Sequence, residues 1–449
     1  MPVMSVRRFK TISILLILVS AAAVIYRTVS THQAMETSTV KREVSSLDEV
    51  RRERDCTPVQ KERKPDVFED MHQRRARMLA VCEANPELKN NYANNTMVSH
   101  QHGLLYCPVP KVASTFWSRF FYQLMHTNPM KSPFDVPVVK VEPTYFRKFF
   151  LKDRPHTPEL TASIHSLKTR LIFIRDPYAR IYSSYVDKLI APNPIHWKRW
   201  GTPIAQMYRE GNDKITSEQD PRLCGHDATF SEWIRYTLDV AWKSDVHVML
   251  ASSMCPACLY NFTVIGKMET FIRDSLHVAA QLNISESQIG FDRMEADAAA
   301  DAIEDSSKDS LSNYWLKLST RCVTKKDVLQ RILRKVQLRG FVSWRYQFNL
   351  TDEEVKNMNL KTYVEILTQA RNKFYNAAEL KLQKKHAFKE AYAAVSAVLI
   401  RRIADTYKID ADMFGYETLP MELMQLEHVA NTHAFDHTKP WDLSGLIGG

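Results

Sequence analysis

Two apolar segments, each followed at once by a polar loop and a helix, constrain the fold of this chain most. Residues 103–109 (GLLYCPV) predict a buried strand, and residues 114–125 follow as a helix with one apolar face. Residues 170–174 (RLIFI) predict a second buried strand, and the helix after it begins at Pro177. A third strand is predicted within 262–269. Strands that alternate with helices indicate an α/β domain, with a central parallel sheet flanked by helices.

The N-terminus predicts a membrane anchor. Residues 1–10 carry three basic side chains and no acid, and residues 11–26 carry no charge. As a helix those uncharged residues span roughly 24 Å, which suits the thinner membranes of the early secretory pathway. The positive flank places residues 1–10 in the cytosol and the rest of the chain in the lumen. A signal peptide cleaved near Ala21-Ala22-Ala23 is the alternative, and both interpretations argue against a nucleic-acid partner.

The remaining segment boundaries follow changes in composition. They are a stem at 27–95, a lumenal head domain at 96–420 with an insert at about 292–400, and a C-terminal tail at 421–449. Within the insert, the acidic run 292–310 predicts an acidic loop or insertion, and 352–408 predicts helices. The basic run 321–346 predicts a solvated face, with contact to a polyanion as the alternative.

Seven cysteines in a lumenal chain predict disulfides. Cys255 and Cys258 form a single C-x-x-C, without the second ligand pair that zinc needs or the setting that a redox motif needs. Cys224 is a candidate partner for one of this pair, and the odd count leaves one thiol, such as Cys56, free or intermolecular. Four N-x-S/T sequons predict glycosylation, at Asn94, Asn261, Asn283 and Asn349.

The loop after the first strand is suited to an anion. Lys111 lies in it, and the following helix presents unpaired N–H groups and a partial positive charge at its start. Ser114 and Thr115 add hydroxyl groups that can also cap the helix. The Walker glycines are absent, so Ala113 and Ser114 must allow the close backbone approach. An ordinary capped helix with a surface lysine is the alternative from these residues alone.

The loop after the second strand offers a guanidinium at the edge where α/β sheets bind ligands. Arg175 follows the strand directly, and helical spacing from Arg180 puts Ser183 and Asp187 on one face. A guanidinium and a hydroxyl together suit a phosphate monoester. The alternative is that Arg175 and Asp176 only pair with other charges.

Together the two loops read P-K-V-A-S-T-x-W and, about sixty residues later, I-R-D-P-x-x-R-x-x-S-x-Y. This pattern resembles the Golgi carbohydrate sulfotransferases, with the closest resemblance to the chondroitin/dermatan 4-O-sulfotransferase branch. Further matching pieces follow in order, at 230–233, 245–247, 255–258, 264–270 and 407–416. The resemblance implies a P-loop-like sulfotransferase fold, a Golgi location and 3′-phosphoadenylyl sulfate (PAPS) as co-substrate. With the N-terminal segment, this predicts a single-pass type II protein of the Golgi membrane. A monoanionic sulfuryl group needs no metal, so none is expected.

The family's donor-binding residues transfer to matching positions. The resemblance implies that the 5′-phosphosulfate is bound by Lys111, Val112, Ala113, Ser114 and Thr115, and the 3′-phosphate by Arg175 and Ser183. It also implies an acidic glycan acceptor, GalNAc 4-O of chondroitin or dermatan, which the net charge of +10 suits.

At several positions this sequence differs from the residues that are usual in the branch, so the identity of the acceptor sugar stays undecided. Ser114 stands where the branch usually has Cys, Phe116 where it has Asn, Val248 where it has Trp, and Ala411 where it has an aromatic residue. An N-glycan or glycolipid terminal sugar is an alternative acceptor. A non-catalytic, glycan-binding lumenal protein of the same fold is an alternative function, which the presence of Lys111 and Arg175 opposes. A P-loop-like nucleotide kinase is opposed by the missing glycines.

Sulfuryl transfer to a sugar hydroxyl needs in-line geometry, neutralisation of the leaving phosphate and a general base. Lys111 would neutralise the leaving group. His165 is the first candidate for the base, because it lies ten residues before Arg175. His247 and Glu142 are the alternatives.

Overall fold

The computed structural model describes most of the chain from residue 66 onward. The described residues are 66–90, 96–126, 132–141, 157–286, 290–428 and 433–447. The predicted anchor at 11–26 lies outside them, as do Cys56, Asn94 and Glu142. Within the described ranges, no helix is both long and apolar enough to cross a membrane.

A four-stranded sheet forms the centre of the α/β domain. Its strands, in spatial order, are β1 (Met97–Ser99), β2 (Leu104–Cys107), β3 (Thr169–Ile174) and β4 (Val264–Lys267). β1 runs antiparallel to β2, whereas β2, β3 and β4 are mutually parallel. The predicted α/β class and the three predicted strands are confirmed; the short β1 is an addition that the sequence pattern does not predict.

Helices surround this sheet. Those of six or more residues are α1 (Val67–Ala84), α2 (Ser114–Leu124), α3 (Pro158–His165), α4 (Pro177–Tyr185), α5 (Thr202–Tyr208), α6 (Phe230–Asp239), α7 (Phe271–Gln281), α8 (Met294–Leu311), α9 (Asn313–Ser319), α10 (Lys325–Leu338), α11 (Asp352–Asn357), α12 (Leu360–Lys373), α13 (Ala377–Ala393), α14 (Ala397–Thr406) and α15 (Lys408–Phe414). Shorter helical segments are Pro194–His196, Ala251–Met254, Ala257–Tyr260, Met421–Met424 and Ser444–Ile447. The helical prediction for 352–408 is confirmed.

The strands are continuous apolar runs because the sheet is covered. Every residue of β2 and β3 is buried, as expected for parallel strands under helices. Trp117 of α2 stacks on Phe173 of β3, with ring centroids 4.8 Å apart. Gly266 of β4 makes room for this ring, because a Cβ there would lie only 2.4 Å from the tip of Phe173. The packing holds α2, and so the loop before it, rigidly on the sheet.

Helix α1 belongs to the head and corrects the predicted stem boundary at residue 95. Arg74 donates from Nη1 to the carbonyl oxygen of Ile265 at 2.9 Å and to the buried carboxylate of Asp274 at 2.6 Å. Cys82 forms a disulfide with Cys258. The helix is charge-rich, and its buried residues are Met71, Met78 and Cys82. These three are too few and too far apart for the sequence pattern to indicate a packed face.

Three disulfides join distant parts of the chain. The pairs are Cys82–Cys258, Cys107–Cys255 and Cys224–Cys322. The disulfide prediction is therefore confirmed for these six cysteines, but the suggested pairing of Cys224 with the C-x-x-C is wrong. The two cysteines of that motif instead bond to β2 and α1, which pins the motif against the sheet.

The acidic run at 292–310 is a helix, not the predicted loop. Ala299, Ala302 and Ile303 are buried and give α8 its packed face. Asp301 pairs with the buried Arg119 of α2 at 2.8 Å. The packed face of α8 contains small alanines, whose apolar character is weak. The acidic residues on the other faces therefore dominate the sequence pattern.

The basic run at 321–346 is largely internal, which corrects the predicted solvated face. Arg331, Arg334 and Lys335 of α10 are all buried. Arg334 donates to the carbonyl oxygens of Ala434 and Lys439 at 2.9 and 2.6 Å. These contacts also join residues 433–443 to the head, although the sequence assigned them to a tail. Arg331 and Arg334 donate to chain carbonyls and Lys335 pairs with Asp187, so a polyanion could not reach these three cations.

Candidate active site

The carboxyl ends of β2, β3 and β4 lie side by side, because these strands are parallel. Ligands of open α/β sheets bind at this edge. Lys111 lies in the loop after β2, and Arg175 follows β3 directly. Arg175 Nη1 donates to the carbonyl oxygen of Lys111 at 3.4 Å. The structure therefore brings the two predicted donor-binding loops together.

The loop after β2 forms a concave row of backbone groups without glycine. Lys111 and Ala113 have φ values of +71° and +60°, in the left-handed region, and Val112 between them is buried. Left-handed residues that alternate with others turn successive N–H groups toward one point, which makes an anion-binding concavity. Such strain in non-glycine residues is typical of functional loops.

Helix α2 begins immediately after this loop, and its first turn is open. Ala113 occupies the N-cap position and supplies no side-chain cap. Ser114 is partly exposed and Thr115 exposed, and neither hydroxyl has a hydrogen-bond partner within the described ranges. The capping role considered for them is therefore not used, and the first N–H groups of α2 are available to an anion.

Lys111 is paired with a carboxylate that the motifs do not include. Asp187 lies in a π-helical turn, Val186–Ile190, and its carboxylate is 2.7 Å from Lys111 Nζ. It also contacts Lys188 and Lys335, at 3.2 and 3.0 Å. Burial alone would raise the pKa of Asp187, but these cations outweigh burial and lower it well below its usual value. Burial lowers the pKa of Lys111 to about 7, against the opposing effect of Asp187.

The second loop is held in place by carboxylates. Asp176 caps α4 by accepting from the Ala179 N–H at 2.7 Å, and burial raises its pKa to about 6. The Asp176 N–H in turn donates to Glu269, which follows β4, at 3.3 Å. Burial lowers the pKa of Arg175, although Glu269 and Asp176 oppose this. Ser183 lies partly buried on α4.

His165 does not reach this site. It ends α3, before β3 begins, and its Nε2 lies 2.8 Å from the carbonyl oxygen of Leu259. The six residues of β3 span about 20 Å and separate it from Arg175, at the opposite edge of the sheet. The ten-residue interval from His165 to Arg175 includes the whole of β3, so the imidazole is too far from Arg175 to act as the base.

His247 lies near the site and is oriented by a carboxylate. Its Nδ1 is 2.8 Å from Oδ1 of Asp245, which is buried and also accepts from Trp200 Nε1 at 3.0 Å. With Nδ1–H donating to Asp245, Nε2 is left to accept a proton. Burial lowers the pKa of His247, Asp245 opposes this, and nearby Lys188 and Lys111 add to the lowering. The two-residue spacing of the pair was visible in the sequence, but the pairing was not predicted.

Arg180 holds the first loop and the His247 turn together. Its buried guanidinium donates to the carbonyl oxygens of Pro110 at 3.1 Å, Val246 at 3.0 Å and Met249 at 2.5 Å. The helical spacing in the sequence suggested that Arg180 shares a phosphate-facing surface with Ser183. Its contacts instead assign it to the support of the site.

We expect Arg180→Met to lower the free energy of unfolding by about 1–3 kcal/mol, because buried carbonyls lose their donors while the side-chain volume is kept. Urea unfolding followed by tryptophan fluorescence measures the loss. Arg401→Met, at an exposed position of α14, serves as the control and should unfold like the wild type. Equal stability of the two variants would contradict a supporting role for Arg180.

Comparisons with known proteins agree with this geometry. The family model described as "Sulfotransferase family" matches residues 94–347. Mouse carbohydrate sulfotransferase 12 is 26% identical over 218 residues, which cover 46% of this chain and 52% of that protein. Rat carbohydrate sulfotransferase 11 is 27% identical over 230 residues, covering 48% and 62%. Human carbohydrate sulfotransferase 9 is 28% identical over 180 residues, covering 40% and 38%.

The chain spans about half the length of the curated relatives it matches. No solved structure matches it significantly. The family model nevertheless covers more than half of the chain and includes both loops and the His247 turn. The resemblance drawn from the two motifs is therefore confirmed, and the chain belongs to the sulfotransferase family.

Proposed function

We propose that the protein is an enzyme that transfers the sulfuryl group of PAPS to a hydroxyl group of a glycan. The observation that carries the proposal is the position of Lys111. It lies on a strained, concave loop at the carboxyl edge of the sheet, in contact with Arg175 and near the His247–Asp245 pair. These are the parts that sulfuryl transfer to a hydroxyl requires.

Donor binding is assigned to the two loops. The N–H groups of the loop at 111–113 and of the first turn of α2 would hold the phosphosulfate, with Ser114 and Thr115 as hydroxyl donors. Arg175 and Ser183 would hold the 3′-phosphate, as the resemblance implies. Lys111 would leave Asp187 for the bridging oxygen, where negative charge develops, and Asp187 would remain paired with Lys188 and Lys335.

The transfer step needs a base on the acceptor side, and His247 is the best placed of the candidates. Its Nε2 would take the proton of the acceptor hydroxyl as that oxygen forms its bond to sulfur. The bond from sulfur to the bridging oxygen breaks, and its electron pair stays on the 5′-phosphate. Asp245 would hold the imidazole in the required tautomer and stabilise the imidazolium that forms.

For the acceptor we propose GalNAc 4-O of chondroitin or dermatan, with a neutral terminal sugar of an N-glycan or glycolipid as the second candidate. The resemblance and the net charge of +10 support the first. Arg331 and Arg334 are buried, so these two cations of the basic run 321–346 do not support a polyanionic acceptor. Asp309 of α8 favours the second, because it lies near Lys188 and Lys335 and its carboxylate would repel a polyanion.

The decisive experiment incubates the purified full-length chain with PAPS labelled in its sulfate. The acceptors are desulfated chondroitin, desulfated dermatan and an N-glycan ending in GalNAc, and Lys111→Ala serves as the control with strongly reduced activity. Label on a glycan supports the proposal and identifies the acceptor. Glycan binding without any transfer of label would instead support a non-catalytic, glycan-binding protein.

We further propose that residues 11–26 anchor the chain in the Golgi membrane, with the head in the lumen. Three disulfides suit that oxidising compartment. Of the predicted glycosylation sites, Asn283 and Asn349 are exposed, whereas Asn261 is partly buried and accepts from Arg75 at 3.0 Å.

Carbonate extraction should leave the full-length chain in the membrane pellet. A variant with Leu15 and Leu16 replaced by Arg should lose this property, because charges at the centre of a spanning helix are costly. Recovery of a soluble lumenal chain that begins near Val24 would overturn the anchor in favour of a cleaved signal peptide.

A further inference from the structure

Two cations from the C-terminal helices, outside both motif loops, interact electrostatically with Arg175. Arg339 is the C-cap of α10 and follows Lys335 by one helical turn, so the two side chains share a face. Lys335 contacts Asp187 at 3.0 Å, and Asp187 contacts Lys111 at 2.7 Å. This face of α10 therefore points toward the donor-binding loops. Arg339 is close enough to Lys111 and Arg175 to lower the pKa of both.

Lys384 of α13 lies close to the C-terminal end of α10. A Cβ on Gly340, the residue after Arg339, would lie 3.4 Å from the Cβ of Lys384 and 2.9 Å from the carbonyl oxygen of Leu380. Glycine thus allows α13 to approach the end of α10 closely.

The neighbouring Gln383 fixes this approach. It is buried, accepts from the Trp344 N–H at 2.8 Å and donates to the carbonyl oxygen of Gln337 at 2.6 Å. Lys384 itself keeps an exposed side chain, yet surrounding protein atoms, Arg175 and Arg339 lower its pKa to about 8. Its position is therefore set by the packing of α13 and not by a partner of its own.

No carboxylate neutralises these three cations at short range. Among the described residues, Arg175, Arg339 and Lys384 have no ion pair within 4.0 Å. Glu269 lies near Arg175 and Lys384, but it already accepts from the Asp176 N–H at 3.3 Å and the Tyr416 hydroxyl at 3.0 Å. Three cations held together on separate elements repel one another, so a dianion bound among them would be stabilised by all three.

We propose that Arg175, Arg339 and Lys384 form a three-cation site for a phosphate monoester, which in the proposed reaction is the 3′-phosphate of PAPS. The inference rests on the proposed function and adds two residues to it. A phosphate monoester carries nearly two negative charges at neutral pH, which a single arginine and a serine match poorly. Lys384 also lies beyond the residues that match the family model, so the C-terminal helices would contribute to donor selection.

The test compares two donors that differ only in this phosphate. Isothermal titration calorimetry on the full-length chain measures the affinity for PAPS and for adenosine 5′-phosphosulfate. We expect Arg339→Gln and Lys384→Gln each to weaken PAPS binding about 10- to 100-fold, with little change for adenosine 5′-phosphosulfate. Lys381→Gln, at an exposed position of the same helix as Lys384, is the matched control and should bind both donors like the wild type.

The outcomes separate this inference from the proposed function. If the wild type does not prefer PAPS to adenosine 5′-phosphosulfate, the assigned donor itself fails. If the wild type has the preference and the Lys384 and Arg339 variants keep it, the three-cation site is overturned and the sulfotransferase assignment stands. An equal loss for both donors would also overturn it, by indicating a structural role. Should Arg339→Gln not fold, Arg339→Lys and Lys384→Gln decide the question.

Discussion

Replacing His247 by Asn is expected to lower kcat for sulfuryl transfer by about 10²–10⁴-fold, with the affinity for PAPS nearly unchanged. Asn keeps much of the shape of the ring but cannot accept the proton of the acceptor hydroxyl. The expectation rests on the 2.8 Å contact to Asp245 and on the nearness of Lys111. Single-turnover transfer at saturating PAPS, together with calorimetric binding of PAPS, separates the chemical step from binding.

The pH dependence provides a second readout for this pair. Only the neutral imidazole can accept a proton, and burial lowers its pKa, so kcat should fall on the acid side only below the ordinary histidine pKa of 6.5. Asp245 opposes that lowering. Asp245→Asn should therefore move the acid limb to still lower pH and reduce kcat, which a purely structural role for Asp245 would not do.

His165→Asn is the matched control, because His165 lies at the opposite edge of the sheet. It should transfer sulfate at the wild-type rate. A near-normal kcat for His247→Asn would remove His247 as the base. An equal loss in the His165 variant would show that the edge assigned to the reaction is wrong.

The sequence alone predicts the strands of this site and the loops that follow them. Continuous apolar runs predict β2, β3 and β4, and because parallel strands share one direction the residues after each strand lie on one edge of the sheet. Lys111 and Arg175 follow from that rule alone. The sequence spacing predicts the wrong place for His165, because residues close along the chain are far apart in space when an intervening strand carries the chain across the whole sheet.

The contacts of the charged side chains cannot be predicted from the sequence. Arg331 and Arg334 of α10 are surrounded by charge in the sequence, yet they point inward and donate to carbonyls of residues as distant as Ala434. Whether a cation faces solvent, a backbone carbonyl or a ligand depends on the element that packs opposite it. For the same reason the sequence does not predict the ion pairs of Asp187, because one of its partners, Lys335, lies 148 residues later in the chain.

Removing Lys111 should have the other large effect. We expect Lys111→Ala to lower kcat/KM for PAPS by about 10²–10³-fold, because the leaving phosphate loses its charge-neutralising partner. Arg175→Ala should cost at least tenfold, through donor binding. Initial rates at PAPS concentrations well below saturation measure both. Near-normal turnover in either variant would remove that residue from the donor site.

The lowered pKa of Lys111 makes a distinct prediction about donor affinity. Its pKa is about 7 in the free protein, and the anionic donor binds the protonated form, so binding above pH 7 requires proton uptake. PAPS affinity should then fall by up to about tenfold per pH unit above 7. Lys111→Arg, whose guanidinium stays charged, should bind PAPS with a nearly flat pH profile whatever its absolute affinity.

Asp187 provides the test of whether this titration belongs to Lys111. Its carboxylate raises the pKa of Lys111, so Asp187→Asn should lower that pKa further. The fall in PAPS affinity should then begin at a lower pH than in the wild type. A wild-type profile that is flat from pH 7 to 9, or a fall that persists in Lys111→Arg, would assign the titration to another group. In either case Lys111 would bind the donor as a permanent cation, and Asp187 would only position it.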